Sequence, residues 1–242
     1  TLHSFSHFFV QNEGSKALLQ EIDFKNVTVS GDTRFDRVFA ISQQDNSLDF
    51  IEAFVGNQYT LVAGSTWPGD EELLVKYIND DPGTDERYII APHNINEKAI
   101  RELKDSIKKK TVLYSEKEPT ANARVFIVDT IGILNKIYSY GDVAYVGGGF
   151  GKSGIHNVLE PAAFGCPLII GPNYQKFREA VDLVDNRACE VITDQHALKQ
   201  CLDKLRSDES LRLKKGRTAK SYVQENTGAT KIIMDYMKHI LK

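Results

Sequence analysis

Val146-Gly147-Gly148-Gly149-Phe150-Gly151-Lys152-Ser153-Gly154-Ile155-His156-Asn157-Val158-Leu159-Glu160-Pro161 is the stretch that decides how this chain is read. An apolar strand, Val143–Val146, runs into five glycines within residues 147–154, and a helix is expected from Asn157 to Phe164. Glycine lets backbone N–H groups approach a ligand where a Cβ would collide. The start of the following helix offers unpaired N–H groups and a partial positive charge, suited to a phosphate or carboxylate. Glu160 is placed about one turn into that helix, where its carboxylate can accept from a pair of ribose hydroxyls. The bland alternative is a tight turn with no ligand. His156 is then a helix-capping or core histidine, and Asn157 simply a cap.

Two familiar phosphate-binding patterns fail here. Gly149 to Gly154 spells G-x-G-x-x-G, but no second strand ending in an acidic residue follows about 20 positions on, where Phe177 to Val184 reads as helix. Gly151-Lys152-Ser153 lacks the first glycine of a P-loop, because residue 146 is Val.

Outward from this stretch, short apolar runs alternate with amphipathic ones. Strands are expected at Phe8–Val10, Val27–Ser30, Tyr59–Ala63, Tyr88–Ala91, Thr111–Tyr114, Val125–Val128, Val143–Val146, Pro167–Ile170 and Glu190–Ile192. The helical spacing of Leu73, Leu74, Tyr77 and Ile78, and of Ile100, Leu103 and Ile107, fills the gaps. This alternation predicts an α/β fold, a Rossmann-like parallel sheet with helices on both faces. Such sheets bind ligands at the carboxyl ends of their strands. Ser65 and Thr66 read as the N-cap of a helix starting at Pro68. The chain ends in helices expected at residues 195–206, 208–224 and 228–241, the last with Ile232, Ile233, Tyr236, Met237, Ile240 and Leu241 on one side.

Composition narrows the function. With 41% apolar and 26% charged residues the 242-residue chain is an ordinary globular one, and a net charge of −3 gives no reason to expect nucleic acid. Lys108-Lys109-Lys110 and Lys214-Lys215 read as solvated helix ends. Three cysteines without a C-x-x-C pair predict neither a disulfide framework nor structural zinc. No His/Cys/Asp cluster has metal-ligand spacing, so no metal or other cofactor is expected. No apolar run reaches the roughly 18 residues that span a bilayer. The chain starts without Met, with a strand in progress at His7-Phe8-Phe9-Val10, and is expected to be cut from a longer protein. Residues 1–30 form a strand-helix-strand piece, 31–58 a linker and lead-in, and 59–242 the main domain.

The same glycine stretch, continued through Ala162-Ala163-Phe164-Gly165-Cys166-Pro167-Leu168-Ile169-Ile170-Gly171-Pro172-Asn173, resembles the C-terminal domain of the 3-deoxy-D-manno-octulosonic acid (Kdo) transferases. Gly31-Asp32-Thr33-Arg34-Phe35-Asp36-Arg37-Val38, Gly64-Ser65-Thr66-Trp67 with Gly69-Asp70-Glu71, Ala91-Pro92-His93 and Val128-Asp129-Thr130-Ile131-Gly132 agree with it, in order, from about residue 7 onward.

The resemblance implies the C-terminal half of a GT-B glycosyltransferase, which binds the donor CMP-Kdo. The acceptor, a lipid A precursor, would be bound by an N-terminal domain of which residues 1–30 are the remnant. It places CMP against Pro92-His93, Ile131-Gly132-Ile133 and Asn157-Val158-Leu159-Glu160, with Ser65, Thr66, Gly149 and His156 as candidate donor contacts. Gly132 is read as beginning a helix. Many members carry Pro-Arg where this chain has Pro92-His93, and neutral imidazole stabilises a phosphate less than guanidinium does. The family's glutamate base lies in the other domain, so no catalytic residue is assigned here. The full enzyme would work in lipopolysaccharide synthesis on the cytoplasmic side of the bacterial inner membrane. This fragment is expected to be soluble, inactive alone, and prone to self-associate or to carry a mobile segment 1–30. Alternatives are another nucleotide-sugar GT-B enzyme, such as a UDP-sugar transferase or epimerase, or a non-catalytic nucleotide- or protein-binding domain.

Overall fold

Strands buried on both faces of a parallel sheet read as near-continuous apolar runs, and the expected runs become strands to within a residue or two at most ends. The computed structural model describes residues 2–83, 85–116 and 122–240. In chain order these form β1 (Phe8–Val10), α1 (Glu13–Glu21), β2 (Val27–Val29), α2 (Thr33–Ser42), α3 (Asp49–Val55), β3 (Thr60–Thr66), α4 (Pro68–Asp80), β4 (Arg87–Pro92), α5 (Glu97–Ser106) and β5 (Thr111–Leu113). They continue with β6 (Val125–Ile127), α6 (Leu134–Ile137), β7 (Val143–Val146), α7 (Leu159–Phe164), β8 (Leu168–Ile170), α8 (Arg178–Asp185), β9 (Cys189–Val191), α9 (Gln195–Ser207), α10 (Glu209–Glu225) and α11 (Ala229–Ile240). Leu241, expected on the last helix, lies outside the described residues.

The main sheet is seven-stranded and wholly parallel, in the order β5-β6-β4-β3-β7-β8-β9. The strand direction of travel reverses at β3, which has β4 on one side and β7 on the other. That is the topological switch point where open α/β sheets leave a crevice. Period-two alternation sends Leu61 and Ala63 to one face, with α4, α5 and α9, and Val62 to the other. There Ile51 and Phe54 of α3 pack with Ile137 and Tyr138, while Phe35 and Val38 of α2 pack with α7, α8 and α10.

Residues 31–58, expected as a linker and lead-in, thus form two helices whose apolar faces join the main core. The N-terminal piece is separate: β1 and β2 pair in parallel as their own two-stranded sheet. Tyr236 of α11 reaches that sheet, its ring 4.2 Å from His7 and 5.2 Å from Phe9. Leu18 on α1, Ile22 just after it, and Ile232, Met234, Met237 and Ile240 on α11 stay exposed.

Two charge assignments change: Lys109 lies past the end of α5 with its side chain 17% exposed and its Nζ donating to the Asp81 carbonyl at 2.6 Å. Lys215 is not a solvated helix end: it is buried on α10, its Nζ 2.8 Å from Glu190 and donating to the Arg187 carbonyl at 2.5 Å. A buried ammonium needs such partners.

Candidate functional site at the carboxyl edge of the sheet

The crevice is built by the ends of β3, β4 and β7 and the loop after β6. β3 continues through Thr66, with a bulge at Ser65. Ser65 and Thr66 are therefore not the N-cap of α4. Trp67 takes that place, and the Asp70 carboxylate accepts its backbone N–H at 2.9 Å. Ser65 adopts φ 53°, a left-handed conformation costly for a side-chain-bearing residue. The Thr66 hydroxyl donates to Glu71 at 2.9 Å. Asp70, buried at the bottom, also accepts from the Tyr145 hydroxyl at 2.6 Å and from the Gly148 N–H at 2.9 Å, tying α4, β7 and the glycine loop together.

Much of the glycine richness serves the protein's own backbone. A Cβ on Gly147 would sit 2.3 Å from the Ser65 carbonyl oxygen and 2.7 Å from the Thr66 Cα, so only glycine lets the loop cross the β3 bulge. Gly149 lies equally tight against Gly171, with 2.6 Å between the built Cβ and the Gly171 Cα. Gly149 is thus spent on internal packing as a side-chain position, leaving at most its backbone for a ligand. A cavity of about 200 Å³ remains beside the loop, lined by Trp67, Gly69, Asp70, Gly148, Phe150, Gly151, Lys152, Ser153 and Gly154.

Three rings meet at Trp67, which lines this cavity. The indole Nε1–H of Trp67 donates to His156 Nε2 at 2.8 Å, and the two rings are nearly coplanar, 10° apart. His93 stacks on this pair, 4.7 Å from Trp67 and 4.3 Å from His156. Its backbone N–H donates to the Thr66 carbonyl at 2.9 Å, which pins the end of β4 beside that of β3. Burial, and then the neighbouring His93, push His156 below the ordinary histidine range against the pull of Asp70.

The acidic helix is shorter than expected. α7 begins at Leu159 rather than Asn157, so Glu160 stands in its first turn, not one turn in. Asn157 Oδ1 accepts the Leu159 N–H at 3.1 Å, and its Nδ2 donates to Glu160 Oε1, also at 3.1 Å. Asn157 is therefore a cap that also orients the carboxylate. Burial raises Glu160 above its ordinary value, with Asn157 and Arg37 opposing. Val158 and Leu159 have fully buried side chains, so only their backbone can meet a ligand. On the loop after β6, Ile131 is 86% exposed. Gly132 precedes rather than begins α6; it turns the chain at φ 95°, with nothing within 4 Å of where a Cβ would be. Ile133 is the N-cap position of α6. Pro92-His93, Ile131–Ile133 and Asn157–Glu160 therefore all follow strands of one parallel sheet and share its carboxyl edge.

Trp67 and Asp70 were given no site role from sequence. Trp67 had a signal: a lone tryptophan immediately before Pro-Gly-Asp-Glu, at the end of an apolar strand.

Against known proteins, no protein-family model matches the chain. The 3-deoxy-D-manno-octulosonic acid transferase of Rickettsia typhi is 25% identical over 250 residues, covering 100% of this chain and 52% of the relative. The chain thus spans about half the length of the curated relatives it matches. Among solved structures, the C-terminal CMP-Kdo binding domain of WaaA from Acinetobacter baumannii superposes with TM-score 0.61 at 22% identity, over 78% of this chain and 97% of that one. The S. aureus MnaA–UDP co-structure superposes at 0.65 with 16% identity, over 94% of this chain and 58% of that one. Fold likeness alone does not separate these two kinds of protein; sequence does, since curated relatives that align along the chain are Kdo transferases. The chain is similar along its whole length to the Kdo transferases, and its Rossmann-like fold is of the kind found in one half of GT-B enzymes.

Proposed function

We propose that this chain is the donor-binding half of a Kdo transferase and that CMP-Kdo binds in the crevice at the carboxyl ends of β3, β4 and β7. The observation that supports this best is the convergence of Asn157–Glu160, Pro92-His93 and Ile131–Ile133 on one sheet edge in a chain whose relatives are Kdo transferases. Glu160, oriented by Asn157, accepts from the ribose hydroxyls. Backbone N–H groups at the start of α7 and along the glycine loop face the phosphate, whose charge grows as CMP leaves. Kdo passes to an acceptor hydroxyl, and the proton of that hydroxyl is taken by a base outside this chain. The acceptor is a lipid A precursor, and the whole enzyme works at the cytoplasmic face of the bacterial inner membrane. In the chain itself, no described helix is long and apolar enough to cross a membrane.

Donor binding is proposed to need no metal. Among the described residues no three His, Cys, Asp or Glu side chains are grouped to hold one, and helix and loop N–H groups supply positive potential instead. Calorimetric titration with CMP and with UDP tests the reading. Tighter binding of CMP is expected; tighter binding of UDP would move the chain to the UDP-sugar enzymes, and binding of neither would overturn it.

A further inference from the structure

Indole nitrogen can only donate a hydrogen bond, so the 2.8 Å contact from Trp67 Nε1 requires a lone pair on His156 Nε2. The imidazole must then be neutral with its proton on Nδ1. Protonating Nε2 would break the bond and leave the half-buried indole N–H without its acceptor. The Cδ2 edge of His156 faces Gly148, so Nδ1, on the opposite edge, points away from the glycine loop. Among the described residues no protein acceptor takes the Nδ1 proton.

We propose that Trp67 is a positioning residue that holds His156 as a fixed, neutral Nδ1–H donor, and that this donor bonds an oxygen of the nucleotide-sugar ligand. The ligand part rests on the function proposed above. The tautomer does not.

The surroundings favour this assignment. His93 lies on the ring pair at 4.3 Å from His156 and opposes a second charge there. Asp70 on α4 would favour a charged His156, but its carboxylate already accepts from Tyr145, Gly148 and Trp67. Glu71 on the same helix is bonded to Thr66, and Lys152 in the glycine loop adds positive potential beside the same cavity. The lowered proton affinity of His156 agrees. A neutral donor offers an anionic oxygen a hydrogen bond whose strength does not change across neutral pH.

Long-range proton–nitrogen NMR on the ¹⁵N-labelled chain reads the tautomer without any ligand. A protonated Nδ1 and unprotonated Nε2 at neutral pH are expected, with both tautomers or the charged ring appearing in Trp67→Phe. A protonated Nε2 in the wild-type chain would overturn the assignment. CMP titration then tests the donor. His156→Asn keeps an N–H near the Nδ1 position and should bind CMP within a few-fold of wild type. His156→Gln, whose amide reaches the Nε2 position instead, should bind about tenfold more weakly, the size of one hydrogen bond. In Trp67→Phe, the CMP-affinity profile between pH 6 and 8 should gain a dependence beyond that of the wild type, which a merely structural tryptophan would not produce. Equal losses in the Asn and Gln variants, or a Trp67→Phe profile parallel to that of the wild type, would overturn the ligand role. A wild-type chain that binds no CMP would overturn the proposed function and this donor role together, and the NMR result would still decide the tautomer.

Discussion

The two edges of the main sheet both gather polar side chains, and they do so for opposite reasons. At the amino edge, Asp81 and Glu86 share Arg206, with Asp81 3.1 Å from its guanidinium and the Tyr88 hydroxyl donating to Asp81 at 2.8 Å and to Glu86 at 3.1 Å. Lys109 adds a second cation, 3.8 Å from Asp81. Burial alone would raise Asp81; its hydrogen bonds with Glu86, Gly83, Tyr88 and Arg206 hold it well below the carboxylate range, while burial and Asp81 push Glu86 up. At the carboxyl edge no such closure occurs. His156 has an unspent proton, Glu160 has only the Asn157 amide as a hydrogen-bond partner among the described residues, and Ser65 is strained. A polar cluster that satisfies itself holds a fold, whereas one with donors and acceptors to spare is arranged for something that arrives later.

The largest effect expected from breaking this contrast is at the amino edge. Arg206→Met would leave the buried Asp81 with the more distant Lys109 as its remaining cation, and should lower unfolding stability by about 3 kcal/mol. CMP affinity of the folded protein should not change. Urea denaturation alongside calorimetry reads both, and a loss of CMP affinity without loss of stability would break the comparison.

The reverse holds at the other edge. Glu160→Ala should weaken CMP binding by about 1–3 kcal/mol, the range for a charge-assisted hydrogen bond, and should leave stability unchanged or slightly raised, since a half-buried carboxylate is removed. Unchanged CMP affinity in the folded variant would take Glu160 out of the site.

How much of this could be read from sequence differs between the edges too. The sheet was legible because parallel strands buried on both faces, such as Val143–Val146, leave uninterrupted apolar runs. α3 was missed although Phe50, Ile51, Phe54 and Val55 carry helical spacing, because Gln43–Ser47 before it reads as a polar loop. The glycine stretch was legible as a site but not in its chemistry. What Gly147 and Gly149 do depends on Ser65 and Gly171, residues far off in sequence. The Trp67–His156 bond joins positions 89 apart, and no spacing rule reports it. The amino-edge network was invisible for the same reason, its members coming from the loop between α4 and β4, from β4, from the loop before β5 and from α9.

pH gives a finer test. Glu160 is raised by burial, and only its ionised form is a full acceptor for ribose. Its contribution to CMP affinity is complete well above the raised value and is lost as pH falls through it, in a window that begins above the ordinary glutamate value of 4.5. Affinity measured from pH 7.5 down to 5 should decline, and Glu160→Gln should bind more weakly at pH 7.5 but flatten the decline. The CMP phosphate titrates near pH 6 as well, so the difference between the two profiles is the quantity to read, and parallel profiles would contradict the assignment.

The smallest effect expected is from magnesium, and its smallness is informative. A nucleotide monophosphate carries close to two negative charges at neutral pH, and many sites neutralise such charge with a divalent cation held by carboxylates. Here the carboxylates near the crevice are otherwise engaged: Asp70 by three donors within the protein, Glu71 by Thr66, and Glu160 by Asn157. In the proposed complex the potential facing the phosphate comes instead from backbone N–H groups in the glycine loop and at the start of α7, from Lys152, and from the neutral donor proposed on His156. Asp70 is closed to a magnesium ion by its three donors, and Glu71 and Glu160 are each held by a hydrogen bond in a set too small to ligate the ion. CMP affinity in EDTA and in millimolar magnesium should therefore agree within about twofold, the free phosphate's own weak magnesium binding being the remaining difference. A gain of tenfold or more with magnesium, lost in Glu71→Gln, would show that the carboxyl edge closes through a metal, and the contrast between the two edges would then be one of cation type rather than of completeness.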